Sequence, residues 1–93
     1  MRIETYDRII DPGHSWLIVP LKHLQQAGVV DQITAYSPLV GNKVYLEEDC
    51  DMYTFVDAMK KQDVIVDYNS VYVDDLDQYL DDNNLTAFYN WNK

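Results

Sequence analysis

Cysteine occurs once in this chain of 93 residues, glycine and proline three times each, and lysine plus arginine only seven times. Each scarcity excludes something. A single thiol, Cys50, cannot form an intramolecular disulfide, so the expected compartment is a reducing one. Three isolated glycines cannot build a phosphate-cradling loop. No Gly- or Pro-rich stretch marks a linker, and a chain of this length predicts one domain covering residues 1–93. The longest clean apolar run, Trp16 to Val19, is far too short to span a bilayer. The first residues, Met1-Arg2-Ile3-Glu4, lack the apolar stretch of a signal peptide, and the expected location is the cytoplasm.

Acid, by contrast, is abundant. Sixteen Asp and Glu against seven Lys and Arg give a formal charge of −9. Such a charge repels nucleic acid and anionic membranes, and it favours solubility or a basic partner. The excess is one-sided: Glu4, Asp7, Asp11 and Asp31 are matched by Arg2, Arg8, Lys22 and Lys43, whereas everything after position 46 has only Lys60, Lys61 and Lys93 as bases. The apolar share of 47% is that of a globular protein.

Residues 2–10 mix β-branched and aromatic residues with charges and predict a strand. Asp11-Pro12-Gly13 predicts a turn. Trp16 to Val19 reads as a short buried strand, and Pro20 suits the start of a helix that Gly28 ends. Residues 32–39 and 43–48 predict two strands around Val40-Gly41-Asn42. Asp49 or Asp51 suits the cap of the next helix, where Met52, Phe55, Val56 and Met59 recur at helical spacing. Residues 63–68 predict another strand, ending at a polar break at Asn69-Ser70. Residues 73–83 predict a helix on which Val73, Leu76, Tyr79 and Leu80 share a sector of about 120°. Asp74, Asp75, Asp77, Asp81 and Asp82 all fall outside it. The tail Phe88-Tyr89-Asn90-Trp91 is too aromatic to be a loose end. The order predicts an α+β fold: a small mixed or mainly antiparallel sheet of roughly four or five strands, with roughly two or three short helices on one face.

Few constellations carry chemistry. Cys50 with His14 or His23 could pair a nucleophile with a base. However, Glu47, Glu48, Asp49 and Asp51 surround the thiol with like charge, which disfavours the thiolate. The same acidic run lacks the alternation and glycine of a calcium loop, and reads as a strand end followed by a helix start. His14 after its Pro-Gly turn reads as a hydrogen-bonding surface residue. Neither an enzyme, nor a metal site, nor a cofactor is expected. In the aspartate-rich helix, acids in the first turn favour the helix dipole, but Asp81 and Asp82 near its end oppose it, and Asp77 and Asp81 repel each other at i,i+4. A binding role accounts for both ends of the row, because carboxylates about 5–6 Å apart along a face can stand in for phosphates.

The strings Asp11-Pro12-Gly13-His14-Ser15-Trp16-Leu17-Ile18-Val19-Pro20-Leu21, Ile33-Thr34-Ala35-Tyr36-Ser37 and Tyr45-Leu46-Glu47-Glu48-Asp49-Cys50-Asp51 resemble a group of short bacteriophage and bacterial proteins. The resemblance covers roughly residues 5–60 and implies a phage or mobile-element origin, but no mechanism. By size and charge the chain is similar in kind to anti-CRISPR and DNA-mimicking antirestriction proteins. The functional expectation is therefore an inhibitor acting by stoichiometric binding in the cytoplasm of a host bacterium. Its acidic face (Asp74, Asp75, Asp77, Asp81, Asp82, with Glu47, Glu48, Asp49 and Asp51 in support) would meet a basic, nucleic-acid-binding surface of a defence protein. Tyr72, Tyr79 and the aromatic tail would be its uncharged anchors. The rival expectation is a structural or adaptor module that pairs with itself, as a homodimer, or with a phage protein through Phe88, Tyr89 and Trp91.

Overall fold

The computed structural model describes every residue from Met1 to Lys93. Strands β1 (Arg2–Ile10) and β2 (Ser15–Pro20) form an antiparallel hairpin. Asp11 shapes its turn, accepting the N–H groups of Gly13 at 3.0 Å and His14 at 2.8 Å on one carboxylate oxygen. Helix α1 (Leu21–Ala27) starts directly after Pro20 and stops at Gly28, whose φ of 74° is left-handed and suited to glycine. Strands β3 (Leu39–Val40) and β4 (Lys43–Glu47) follow, then α2 (Asp51–Lys61), β5 (Val64–Tyr72), α3 (Leu76–Asp82) and β6 (Ala87–Phe88).

All six strands join one mixed sheet in the order β5-β1-β2-β4-β3-β6. Only the β1–β5 pair is parallel, in register from Arg2 opposite Val64 to Ile10 opposite Tyr72. The α+β class is as the sequence predicts, and the strand count is six because the tail adds β6 to the far edge.

Side chains alternate across a sheet, so each strand feeds two cores. On one face Tyr6, Leu17, Val19, Val44, Leu46 and Val64 pack under Leu24 of α1 and Phe55 and Met59 of α2. Tyr6 ties both helices down: its hydroxyl is 2.8 Å from His23 Nδ1, and its ring meets Phe55 edge-on at 5.5 Å. On the other face Ile9, Val40 and Tyr45 pack against Leu76 and Leu80 of α3. The expectation of helices on one face therefore holds for α1 and α2 alone. Those two already cover the first face, and the apolar stripe of α3 finds its complement on the second.

The segment expected as a strand over residues 32–39 is mostly not one. Val30–Gln32 form a 3-10 turn and only Leu39–Val40 pair. The cause is Asp51, which does not cap α2 as anticipated. Cys50 occupies the cap position without a side-chain bond, and the Asp51 carboxylate is fully buried. It accepts the Thr34 N–H at 3.1 Å and the Thr34 hydroxyl at 2.7 Å, and Ser37 Oγ donates to it as well. Ser37 Oγ in turn accepts the Glu47 N–H at 2.8 Å. Groups that a strand would have spent on a ladder are spent on a side chain, and Pro38 has no N–H to offer.

The tail docks on the same segment. Trp91 Nε1 donates to the Ser37 carbonyl at 2.8 Å, and Asn92 Nδ2 to the carbonyls of Val30 at 2.7 Å and Ile33 at 3.0 Å. Strand β5 also continues through Asn69 and Ser70 instead of breaking there, since β1 pairs with it along its whole length.

Replacing Asp51 by Ala leaves the Thr34 N–H and both hydroxyls without an acceptor. The expected loss is roughly 2–4 kcal/mol in chemical denaturation at an unchanged m-value, with Asp51→Asn losing less. A loss below about 0.5 kcal/mol for Asp51→Ala would mean that the buried network does not hold the fold together.

Candidate functional site

The aspartate face is built around α3. Asp75 is extended (φ −161°, ψ 132°) and is the N-cap, accepting the Asp77 N–H at 2.7 Å and the Gln78 N–H at 3.4 Å. The Leu76 N–H goes instead to the second carboxylate oxygen of Asp11, at 3.3 Å and across 65 positions of sequence. Asp11 thus closes the β1–β2 turn with one oxygen and holds the start of α3 with the other. At the far end Asn84, with φ of 56°, stops the helix, and the Leu85 N–H returns to the Leu80 carbonyl at 2.8 Å.

Of the five aspartates singled out here, Asp75 is the cap, Asp74 precedes the helix, and Asp77, Asp81 and Asp82 lie on it. All five are exposed, and none lies within 4.0 Å of a cationic nitrogen. The only side-chain partner within the row is Gln78, whose amide donates to Asp82 at 2.8 Å. The last turn contains no base.

An open hollow of about 480 Å³ lies at the start of the row, between the Asp11–His14 turn, Trp16, Tyr89 and Asp74 to Asp77. The His14 ring lies 5.5 Å from that of Trp16 and 3.7 Å from the Asp11 carboxylate. Burial, with the Asp77 carboxylate in support, pushes the Tyr89 phenol up. Tyr72 is 77% exposed at the end of β5, whereas Tyr79 is half-buried and packs in the α3 core beside Tyr45. Burial, then proximity to Tyr79, raises the Tyr45 pKa.

The second acidic run, Glu47 to Asp51, does not form a cluster. Glu47 sits opposite Trp16 in the register and shares the α3 side of the sheet with Tyr45. Glu48 faces the other side, accepting the Ser15 hydroxyl at 2.8 Å and pairing with Arg8 at 3.3 Å. Asp49 is exposed at the rim of a cleft between α2 and β5 that Met52, Val56, Val66 and Tyr68 line, and Asp51 is inside the core, out of reach of any partner. Only Glu47 lies on the same side of the sheet as the α3 row, with Trp16 between them.

No three His, Cys, Asp or Glu side chains converge at ligating geometry. Neither histidine hydrogen-bonds to Cys50, which is exposed: His23 is engaged by Tyr6, and His14 lies beside Asp11. Asp11 and Trp16 border the acidic row without having been expected there, and Tyr89 of the aromatic tail, an expected anchor, joins them. Asp11 was readable as a turn residue, but its bond to α3 had no local signal. No protein-family model, curated protein or solved structure matches this chain. No helix is long and apolar enough to cross a membrane.

Burial alone would push the Asp11 carboxyl up, but the N–H groups of Gly13, His14 and Leu76, with the His14 ring nearby, outweigh it and hold the carboxyl below its ordinary 3.8. Because folding lowers this pKa, the contribution of Asp11 is complete above 3.8 and is lost as pH falls through the lower folded value. Asp11→Asn is expected to reduce stability by about 1 kcal/mol at neutral pH and to flatten the loss of stability below pH ~4. Urea titrations of both proteins from neutral to acid pH measure this. Parallel acid limbs would show that Asp11 is not among the groups responsible.

Proposed function

We propose that the protein binds, without turnover, to a basic nucleic-acid-handling surface of another protein, in the manner of a phage-encoded inhibitor of a host defence complex. The observation that carries this reading is the row of five exposed carboxylates from Asp74 to Asp82 with no cation beside any of them. Asp75 and Asp77 have helix-stabilising positions. Asp81 and Asp82 stand at the negative end of the dipole and weaken a helix of only seven residues. A partner's Lys and Arg side chains offset that repulsion, and water alone does so weakly. The half-buried Trp16 and the exposed Tyr89 border the start of the row and provide uncharged contact area, whereas Tyr72 belongs to the opposite face of the sheet.

Association of this kind is fast and salt-sensitive. Capture from host lysate at about 50 mM salt should recover a nucleic-acid-binding complex, lose it at about 500 mM, and be competed by that complex's own nucleic acid. The double variant Asp77→Lys, Asp81→Lys alters two exposed positions and should fold normally while slowing association at least about tenfold. Full-rate binding by this variant would remove the basis of the reading.

The adaptor reading rests on Phe88 and Tyr89, which are 59% and 52% exposed. Trp91 contributes less to it, being half-buried and hydrogen-bonded to Ser37. A partner held through these rings survives high salt.

A further inference from the structure

Strand β5 forms one rim of the sheet, pairing with β1 on one side and with nothing on the other. The direction of its main-chain groups follows from its ends. The Asp63 carbonyl accepts the Arg2 N–H, and the Val73 N–H donates to the Ile10 carbonyl, so odd-numbered residues turn toward β1. Within a strand the N–H and C=O of one residue share a side and alternate along the chain. Val66, Tyr68, Ser70 and Tyr72 therefore aim theirs at the free rim. The Tyr68 N–H is consistent with this, being taken by the Asp67 carboxylate at 2.8 Å and not by β1.

Rims of this length are normally blunted by lysine, proline or a bulge. The nine residues VIVDYNSVY of β5 include no Lys, Pro or Gly, and their register with β1 is continuous. The one guard is Asp67. Beside the rim, toward α2, lies a cleft of about 330 Å³ walled by Val66 and Tyr68 and by Met52, Tyr53 and Val56. Its one cation, Arg8, stacks 4.8 Å from the Tyr68 ring centre and is already neutralised by Glu48 at 3.3 Å, which leaves apolar walls with the unpaired Asp49 carboxylate at the rim. On the opposite face of the same strands Asp67 and Asp7 are exposed and have no ion-pair partner, with Ile65 and Val71 partly bare alongside.

The geometry points to β5 as the docking edge for an extended segment of a partner protein in which Lys or Arg alternates with apolar residues. Main-chain bonds form to the outward groups of the even-numbered residues. Apolar side chains enter the cleft beside Tyr68, and basic ones reach Asp67 and Asp7 on the other face. The strand's own charge selects this occupant. A second copy would bring another net charge of −9 and another base-free β5 against the same acids. The inference does not depend on the α3 row, since it uses main-chain groups on a different element.

The test uses a fluorescent heptapeptide of alternating Lys and Val, with the Glu–Val peptide as its counterpart. Anisotropy measures binding, and amide hydrogen exchange locates it. The Lys–Val peptide should bind with a Kd of roughly 10–100 μM and slow exchange at Val66, Ser70 and Tyr72. Asp67→Lys should weaken it at least about tenfold. So should Ser70→Pro, which removes an outward N–H without removing a bond to β1. The Asp77→Lys, Asp81→Lys variant should bind as the parent does. Asp67→Lys retains the backbone and decides the matter if Ser70→Pro does not fold. The inference is overturned if the Glu–Val peptide binds equally, if protection falls on α3, if the α3 variant loses binding, or if nothing binds up to about 1 mM. A dimer of the free chain that Asp67→Lys alters and the peptide fails to displace overturns it too, by giving the edge to a second copy.

Discussion

The buried carboxylate of Asp51 organises more of this molecule than any other group. No cation meets it in the core, and the burial of a carboxyl group is tolerated only when hydrogen bonds surround it. Thr34 and Ser37 supply them, and the N-terminal end of α2, where Asp51 sits, favours a negative charge. The consequences spread outward. Residues 30–38 become a hydrogen-bonded loop instead of a strand. The position of that loop decides where Ser37, Val30 and Ile33 present their carbonyls, and Trp91 and Asn92 dock there. One side chain thereby links the start of α2, the loop after α1 and the C-terminal tail, and the tail in turn supplies β6 at the edge of the sheet.

The remaining acids divide by what surrounds them. Asp11 and Asp75 are consumed by backbone N–H groups and set where α3 begins. Glu48 is consumed by Arg8 and Ser15. Asp74, Asp77, Asp81 and Asp82 are left facing water without a cation, and Asp81 and Asp82 disfavour the last turn of α3. Because α3 is anchored at its start by Asp11 and Asp75 and beneath by Leu76 and Leu80, the fold can absorb that repulsion. The proposed binding face thus depends on tertiary anchoring of a helix too short to persist alone.

The β1–β5 pair shapes the other candidate surface. A parallel neighbour requires a crossover, and here the chain returns by way of α2, which covers the inner part of the sheet and leaves the outer rim of β5 bare. The cleft beside Tyr68 opens where β5 leaves the cover of α2: Val64 is buried, Val66 is half-buried, and every residue of the strand from Asp67 onward is exposed.

Much of the local structure was legible in the sequence. Asp11-Pro12-Gly13 as a turn, Gly28 as a helix stop, the burial of Phe55 and Met59, and the apolar stripe of Leu76 and Leu80 opposite the aspartates all follow from short-range rules of backbone geometry and periodicity. Those rules report on a residue and its neighbours within a turn or two. They carry no information on which of two sheet faces a helix covers, so α3 was expected beside α1 and α2. Nor do they show that Asp51 would turn inward toward Thr34, 17 positions away, or that Asp11 would reach Leu76 across 65. Composition by itself determined that the chain is acidic in its second half and has too few cations to neutralise it. Only the tertiary structure decided which of those acids are buried, which are spent on backbone N–H groups, and which stand unpaired at the surface, because each outcome depends on donors that folding brings from distant parts of the chain.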